Sequence, residues 1–134
     1  MNPDERPHDP PAGDPLAPTV EVITEASGAV AVTLRGEHDL NSRPAVAEAI
    51  ARACERADVL VDLSHCSFID STIIGVLVAA FRAQSERGGR LELAIPPGAR
   101  EILRVAQIAG LQTFMVIHES RPAGLASIAQ GPPR

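Results

Sequence analysis

The stretch Phe68-Ile69-Asp70-Ser71-Thr72-Ile73-Ile74-Gly75 decides how this chain is read. Upstream, Val59-Leu60-Val61-Asp62-Leu63 is a near-continuous apolar run of strand length, and downstream Ile73 to Phe81 stays apolar at helical length. Asp70-Ser71-Thr72 therefore sits where a buried strand hands over to a helix, a place where small α/β domains expose polar groups. A helix starting at Ser71 points its unbonded N–H groups and the positive end of its dipole at the hydroxyls of Ser71 and Thr72. A phosphoryl group is expected to be held there. The Asp70 carboxylate would steer a partner's cation and repel an attached phosphate. Asp and Ser are also common helix N-caps, and a purely structural cap contributes about 1 kcal/mol. Neither Ile73 nor Ile74 supplies the acid of a capping box.

The composition describes one domain. Of 134 residues, 45% are hydrophobic, which suits one adequate core and leaves little room for a second. The net charge is −5, lysine, Trp and Tyr are absent, and the arginines are scattered. Nucleic acid and anionic membrane both require local cationic density, and base stacking requires aromatic platforms, so neither is expected as a partner. The longest apolar segment, Ile73 to Phe81, is far short of the ~20 residues that span a bilayer. Residues 1–17 are rich in Pro and Asp with no apolar signal-peptide core, and read as a disordered tail of a cytoplasmic protein. The domain is expected over 18–129, with 130–134 a flexible end. Cys54 and Cys66 fit no metal spacing and are expected as buried free thiols. His8, His38, His65 and His118 show no zinc pattern, so no metal or cofactor is predicted.

Alternation predicts a hairpin of strands over Thr19–Thr24 and Val30–Arg35, with Gly36-Glu37-His38-Asp39 breaking the pattern. A helix from Asn41 or Ser42, with Pro44 in its first turn, is expected to end near Arg56. The strand Val59–Leu63, the helix Ser71–Arg87 stopped by Gly88-Gly89, and the strand Leu91–Ile95 follow. Pro96-Pro97 is expected to open a helix closing at Gly110, with a last strand over Phe114–Ile117 and a short helix over Leu125–Ala129. The order β-β-α-β-α-β-α-β implies an α/β domain: a mixed sheet of four to five strands, helices mainly on one face, and right-handed parallel crossovers. Along the helix after Ser71, Ile74, Leu77, Val78 and Phe81 form the stripe expected to face the sheet. Ile73, Val76 and Ala80 then lie on an adjacent face, covered either by a partner protein or by a neighbouring helix.

Val59 through Ser71 resembles the strand-to-helix signature of the STAS domain of bacterial anti-sigma factor antagonists, roughly D-L-x-x-V-x-F-[IM]-D-S-S-G-L-G. Leu34-Arg35-Gly36-Glu37-His38-Asp39 resembles that family's L-x-G-E-L-D, and Arg104 through Phe114 its closing L-x-x-x-G-L-x-x-x-F. The resemblance spans about Thr19 to His118 in three separated motifs. It implies a STAS fold and a regulator that captures an anti-sigma factor with serine kinase activity only while unphosphorylated. Carried over, Ser71 is the phosphorylation site, Asp70 its supporting carboxylate and Asp39 a second acid near the same surface. Partner contacts are expected from Asp39, Asp70, Thr72, Ile73 and Val76, and a phosphatase would reverse the modification. The chain departs from the family where Ser-Gly-Leu-Gly becomes Thr72-Ile73-Ile74-Gly75, which is expected to make the approach to Ser71 bulkier.

Two other readings are weighed against this one. His65 and Cys66 lie near Ser71 in sequence, but residues so close on a strand and tight turn do not converge on one substrate atom, and no G-x-S-x-G elbow is present. No catalytic residue is therefore assigned. The remaining alternative is an unphosphorylated STAS scaffold subunit of a stress-signalling or lipid-transport ATPase complex.

Overall fold

Five strands lie side by side in chain order, β1 (Thr19–Thr24), β2 (Val30–His38), β3 (Val59–Ile69), β4 (Leu91–Ala94) and β5 (Ile117–His118). The computed structural model describes residues 16–131, so residues 1–15 of the tail expected over 1–17, and the last residues 132–134, lie outside the described residues, while Leu16 and Ala17, expected in that tail, lie against the end of β2. β1 pairs antiparallel with β2 through a short turn, while β2–β3, β3–β4 and β4–β5 are parallel. Each parallel step is crossed by a helix: α1 (Arg43–Arg56), α2 (Ser71–Glu86) and α3 (Arg100–Ile108). All three pack into one core with Val30, Val32, Leu34, Val59, Val61 and Leu63, as crossovers of one hand require. A last helix, α4 (Arg121–Ala129), covers the opposite face over Ala29, Leu60 and Ala94.

The α4 face is polar beneath its small apolar cluster. Asp62 is buried, and Arg121 reaches across the sheet to it, to Thr33 Oγ1 at 2.7 Å and to Glu25. Buried Glu92 is held by Arg90 and by His118 Nε2 at 2.6 Å. Each buried carboxylate thus has a cationic or hydrogen-bonding partner, without which it would be costly to bury.

The strands that carry the site are longer than the sequence pattern suggests. β2 continues through the expected break at Gly36-Glu37-His38, because Arg35 and Glu37 turn outward while Gly36 and His38 turn inward, so the alternation persists with polar residues in it. β3 likewise runs past Leu63 through Ser64-His65-Cys66-Ser67-Phe68-Ile69. Nine residues of β2 lie beside eleven of β3, so β3 carries two extra residues, taken up at two irregularities in register. Bulges of this kind are common beside functional sites and re-aim the side chains that follow.

Gly36 has φ +80°, and a Cβ there would overlap the Ala17 carbonyl, while Glu37 N–H donates to Leu16 O at 3.0 Å. The close approach lets the chain ahead of β1 lie against the end of β2. Gly36→Ala combines left-handed strain with a backbone collision and is expected to cost about 2 kcal/mol, read as a lowered urea midpoint.

Elsewhere the differences are local. The helix expected from Pro96-Pro97 begins only at Arg100, since Pro-Pro-Gly forms a turn closed by Ala99 N–H to Pro96 O. The last strand is shorter and later than expected. Gly110, with φ +75°, turns the chain into a 3₁₀ turn (Leu111–Thr113) that sends Leu111 and Met115 into the core, leaving only Ile117–His118 paired. The terminal helix starts four residues early, at Arg121, capped by Ser120.

Candidate functional site

His38 and Ile69 are the last paired residues of β2 and β3, so Asp39 and Asp70 leave the sheet side by side at the same end. Asp39 opens a tight turn: its carbonyl accepts the Ser42 and Arg43 N–H groups at 3.1 and 3.0 Å, and its carboxylate accepts Asn41 N–H at 2.9 Å. Asp70 caps α2. Its Oδ1 accepts Thr72 N–H at 3.0 Å, Ile73 N–H at 3.2 Å and the Thr72 hydroxyl at 2.6 Å.

That cap changes the expected fate of an anion at this helix end. Two of the N–H groups anticipated as free are already taken by Asp70, so the α2 N-terminus offers a phosphoryl group on Ser71 little of its own. Ser71 itself is the first residue of α2 and exposed, and among the described residues its hydroxyl has no hydrogen-bond partner. Thr72, half-buried, has its hydroxyl engaged by Asp70. The two neighbouring hydroxyls are therefore chemically different: one is available and one is committed.

The Asp70 carboxyl is held below its ordinary 3.8, first by the Thr72 hydroxyl, opposed by burial, and further by the N–H groups of Ile73, Thr72 and Leu40. A carboxyl lowered in the folded state stabilises the fold above its unfolded pKa, and that stabilisation is lost as pH falls through the folded value. Thr72→Val is therefore expected to raise the Asp70 midpoint in an NMR titration. Its destabilisation of about 1 kcal/mol at neutral pH should shrink below about pH 4.

Two of the expected partner contacts are not on the surface. Ile73 is 0% and Val76 7% exposed; both belong to the core, together with Leu77. The expected sheet-facing set Ile74, Val78 and Phe81 is only half-buried at the margin of that core, as is Ala80. The stripe is rotated because α1 packs along α2, so that of the two covers expected for this flank, a partner protein or a neighbouring helix, it is the helix that lies there. Ile73 thus points away from the mouth and adds no bulk to the approach to Ser71.

The surface instead contains residues that pattern reasoning passed over. Leu40 and Phe68 are 64% and 43% exposed, and exposed Glu37 pairs in register with Phe68. Leu40 sits in a polar turn where no core position calls for a leucine, which is the signal that would have found it. This end of the sheet thus presents two apolar side chains, Leu40 and Phe68, three carboxylates, Glu37, Asp39 and Asp70, and the Ser71 hydroxyl. Cys66 is buried, with its thiol pushed up to about 11 by burial, while neighbouring His65 is exposed on the other side of the strand. The pair does not converge.

The fold and this strand-to-helix mouth define a class. The family described as Mlab, STAS domain matches residues 22–117, and the chain belongs to the STAS-domain anti-sigma factor antagonist family. It is 30% identical over 97 residues to the anti-sigma-B factor antagonist of Bacillus subtilis (strain 168), covering 72% of this chain and 87% of that protein. Among solved structures, an anti-sigma factor antagonist from Mycobacterium paratuberculosis superposes with a TM-score of 0.73 at 22% identity, covering 84% of this chain and 95% of that one. The Bacillus antagonist SpoIIAA matches in its unphosphorylated form (TM-score 0.65, 18% identity, 85% and 100% covered) and its phosphorylated form (0.64, 19%, 82% and 99%). These structures share the sheet of five strands with four helices found here.

Proposed function

We propose that this protein is a cytoplasmic, non-catalytic anti-sigma factor antagonist, switched at Ser71. Unphosphorylated, it captures an anti-sigma factor that has serine kinase activity, and the sigma factor is released. Phosphorylation of Ser71 by that kinase blocks capture, and a phosphatase restores it. The observation that carries this reading is the free, exposed Ser71 hydroxyl beside a Thr72 hydroxyl tied to Asp70. Support also comes from SpoIIAA, a structural relative known with and without phosphate.

The mouth suits a protein partner. Exposed Leu40 and Phe68 supply apolar anchors, and Glu37, Asp39 and Asp70 favour a partner with basic residues around apolar depressions. Among the described residues no helix is long and apolar enough to cross a membrane. The scaffold alternative gains no surface from Ile73 or Val76, since both are buried. Incubation with the cognate kinase and ATP, followed by mass-spectrometric mapping, is expected to place a single phosphate on Ser71. Phosphate on Thr72 or elsewhere, or none, overturns the assignment.

A further inference from the structure

Three core residues of β3, Leu63, Cys66 and Ile69, stand three apart, whereas a regular strand returns a side chain to the same face at every second residue. Beside them on β2, Leu34, Gly36 and His38 keep the regular spacing, and all three are buried. The parity of β3 is therefore reset twice, once between the pairs Thr33–Asp62 and Arg35–His65 and once between Gly36–Cys66 and Glu37–Phe68. At the first reset Leu63 and Ser64 together oppose Leu34. Leu63 fills the core position, so Ser64 is the surplus residue, and a surplus residue leaves the ladder unpaired.

A side chain supplies the missing partner. Asp62 is buried, and its Oδ1 accepts the Ser64 N–H at 2.9 Å and the Ser64 hydroxyl at 2.5 Å. Its Oδ2 accepts from Arg121 Nη1 at 3.3 Å, and the same nitrogen donates to Thr33 Oγ1 at 2.7 Å. Thr33 and Asp62 are the last pair before the surplus residue, so the guanidinium from α4 clasps the two strands where their register changes. Without an acceptor for its amide, Ser64 regains a ladder partner if β3 slips by one residue. Such a slip turns His65 inward and Cys66 outward, and moves the rest of β3 by about 3.3 Å along β2. Asp70 would then no longer leave the sheet beside Asp39.

We propose that Asp62 is a positioning residue: by holding the Ser64 amide outside the ladder it fixes the register of the second half of β3, and so sets Asp70 and Ser71 beside Asp39. The register is a property of the chain alone, whereas its consequence for partner capture rests on the function proposed above.

The test uses the full chain with Asp62→Asn and Asp62→Leu. Both variants lose the charge that faces Arg121, but asparagine keeps a carbonyl oxygen for the Ser64 amide and leucine, of similar size, does not. The two buried free thiols report the outcome. In Asp62→Leu, Cys66 is expected to react with an aromatic disulfide reagent more than about tenfold faster than in the wild type, while Cys54, in α1, keeps its rate. The cross-strand nuclear Overhauser contact between Gly36 and Cys66 is expected to give way to one between Gly36 and His65. Asp62→Asn is expected to show neither change. A loss of stability alone would lower the thermal midpoint of both variants and leave the Gly36–Cys66 contact in place, and that result in Asp62→Leu overturns the positioning role. A slip in Asp62→Asn as well overturns the part given to the acceptor oxygen. If Asp62→Leu does not fold, the wild type decides: a coupling across the hydrogen bond from the Ser64 amide nitrogen to the Asp62 carboxyl carbon is expected, and its absence overturns the assignment. Capture of the anti-sigma factor is expected to weaken about tenfold in Asp62→Leu, about 1.4 kcal/mol, and to hold in Asp62→Asn. If the register slips and capture does not change, Asp62 keeps its role and the proposed docking at this end of the sheet falls.

Discussion

Ser71→Asp is expected to weaken capture of the anti-sigma factor about a hundredfold, some 2.7 kcal/mol, while folding stability stays within about 0.5 kcal/mol of the wild type. Both halves follow from where Ser71 stands. Its hydroxyl makes no hydrogen bond within the described chain, so its loss breaks no internal contact, and an acid in the first turn of α2 lies well with the helix dipole. In a complex the same charge is brought out of water beside Asp70, with Glu37 and Asp39 at the same end. Two unit charges about 4 Å apart near a protein surface repel by about 4 kcal/mol at an effective dielectric of 20, before screening. One such close pair, partly screened, is enough for the hundredfold loss. Ser71→Ala should retain capture but accept no phosphate. Isothermal titration against the isolated anti-sigma factor decides between these outcomes, and equal affinity for wild type and Ser71→Asp removes charge as the switching principle.

Ile73→Gly restores the residue that the family signature has at this position, and it is expected to cost about 3–6 kcal/mol, close to the whole stability of a domain of this size. Truncating a fully buried isoleucine costs about 2–5 kcal/mol, and glycine within a helix adds about 1 kcal/mol over alanine. The prediction separates two roles for the same side chain. A partner contact would change affinity and leave the denaturation midpoint alone; a core residue does the reverse. Ile73→Val, which keeps most of the volume, should cost only about 1 kcal/mol and leave phosphorylation of Ser71 unchanged.

The two predictions show which parts of the chain were readable in advance. β1, α1 and the start of α2 follow from alternation, from Pro44 and from the Asp-Ser junction, because there local preference and tertiary environment agree. The ends of β2 and β3 were not readable, since Ser64-His65-Cys66-Ser67 has loop chemistry and becomes a strand only because Arg35–His38 lies alongside to pair with it. The core face of α2 was misjudged for a related reason. A helical stripe broad enough for two orientations does not say which is used, and α1, remote in sequence, chooses Ile73 and Val76. That Asp39, Asp70 and Ser71 would lie at one end of the sheet was legible because motif and junction coincide. Leu40 and Phe68 were not, because exposure is a property of the assembled end of the sheet.

The manner in which Asp70 closes α2 has a bearing on reversibility. By occupying two of the amides that would otherwise cradle an anion, it would leave a phosphate on Ser71 with little shelter in its own fold beyond the helix dipole. Such a mark would stay hydrated and open to an eraser, and the protein would carry little conformational memory of having been written upon.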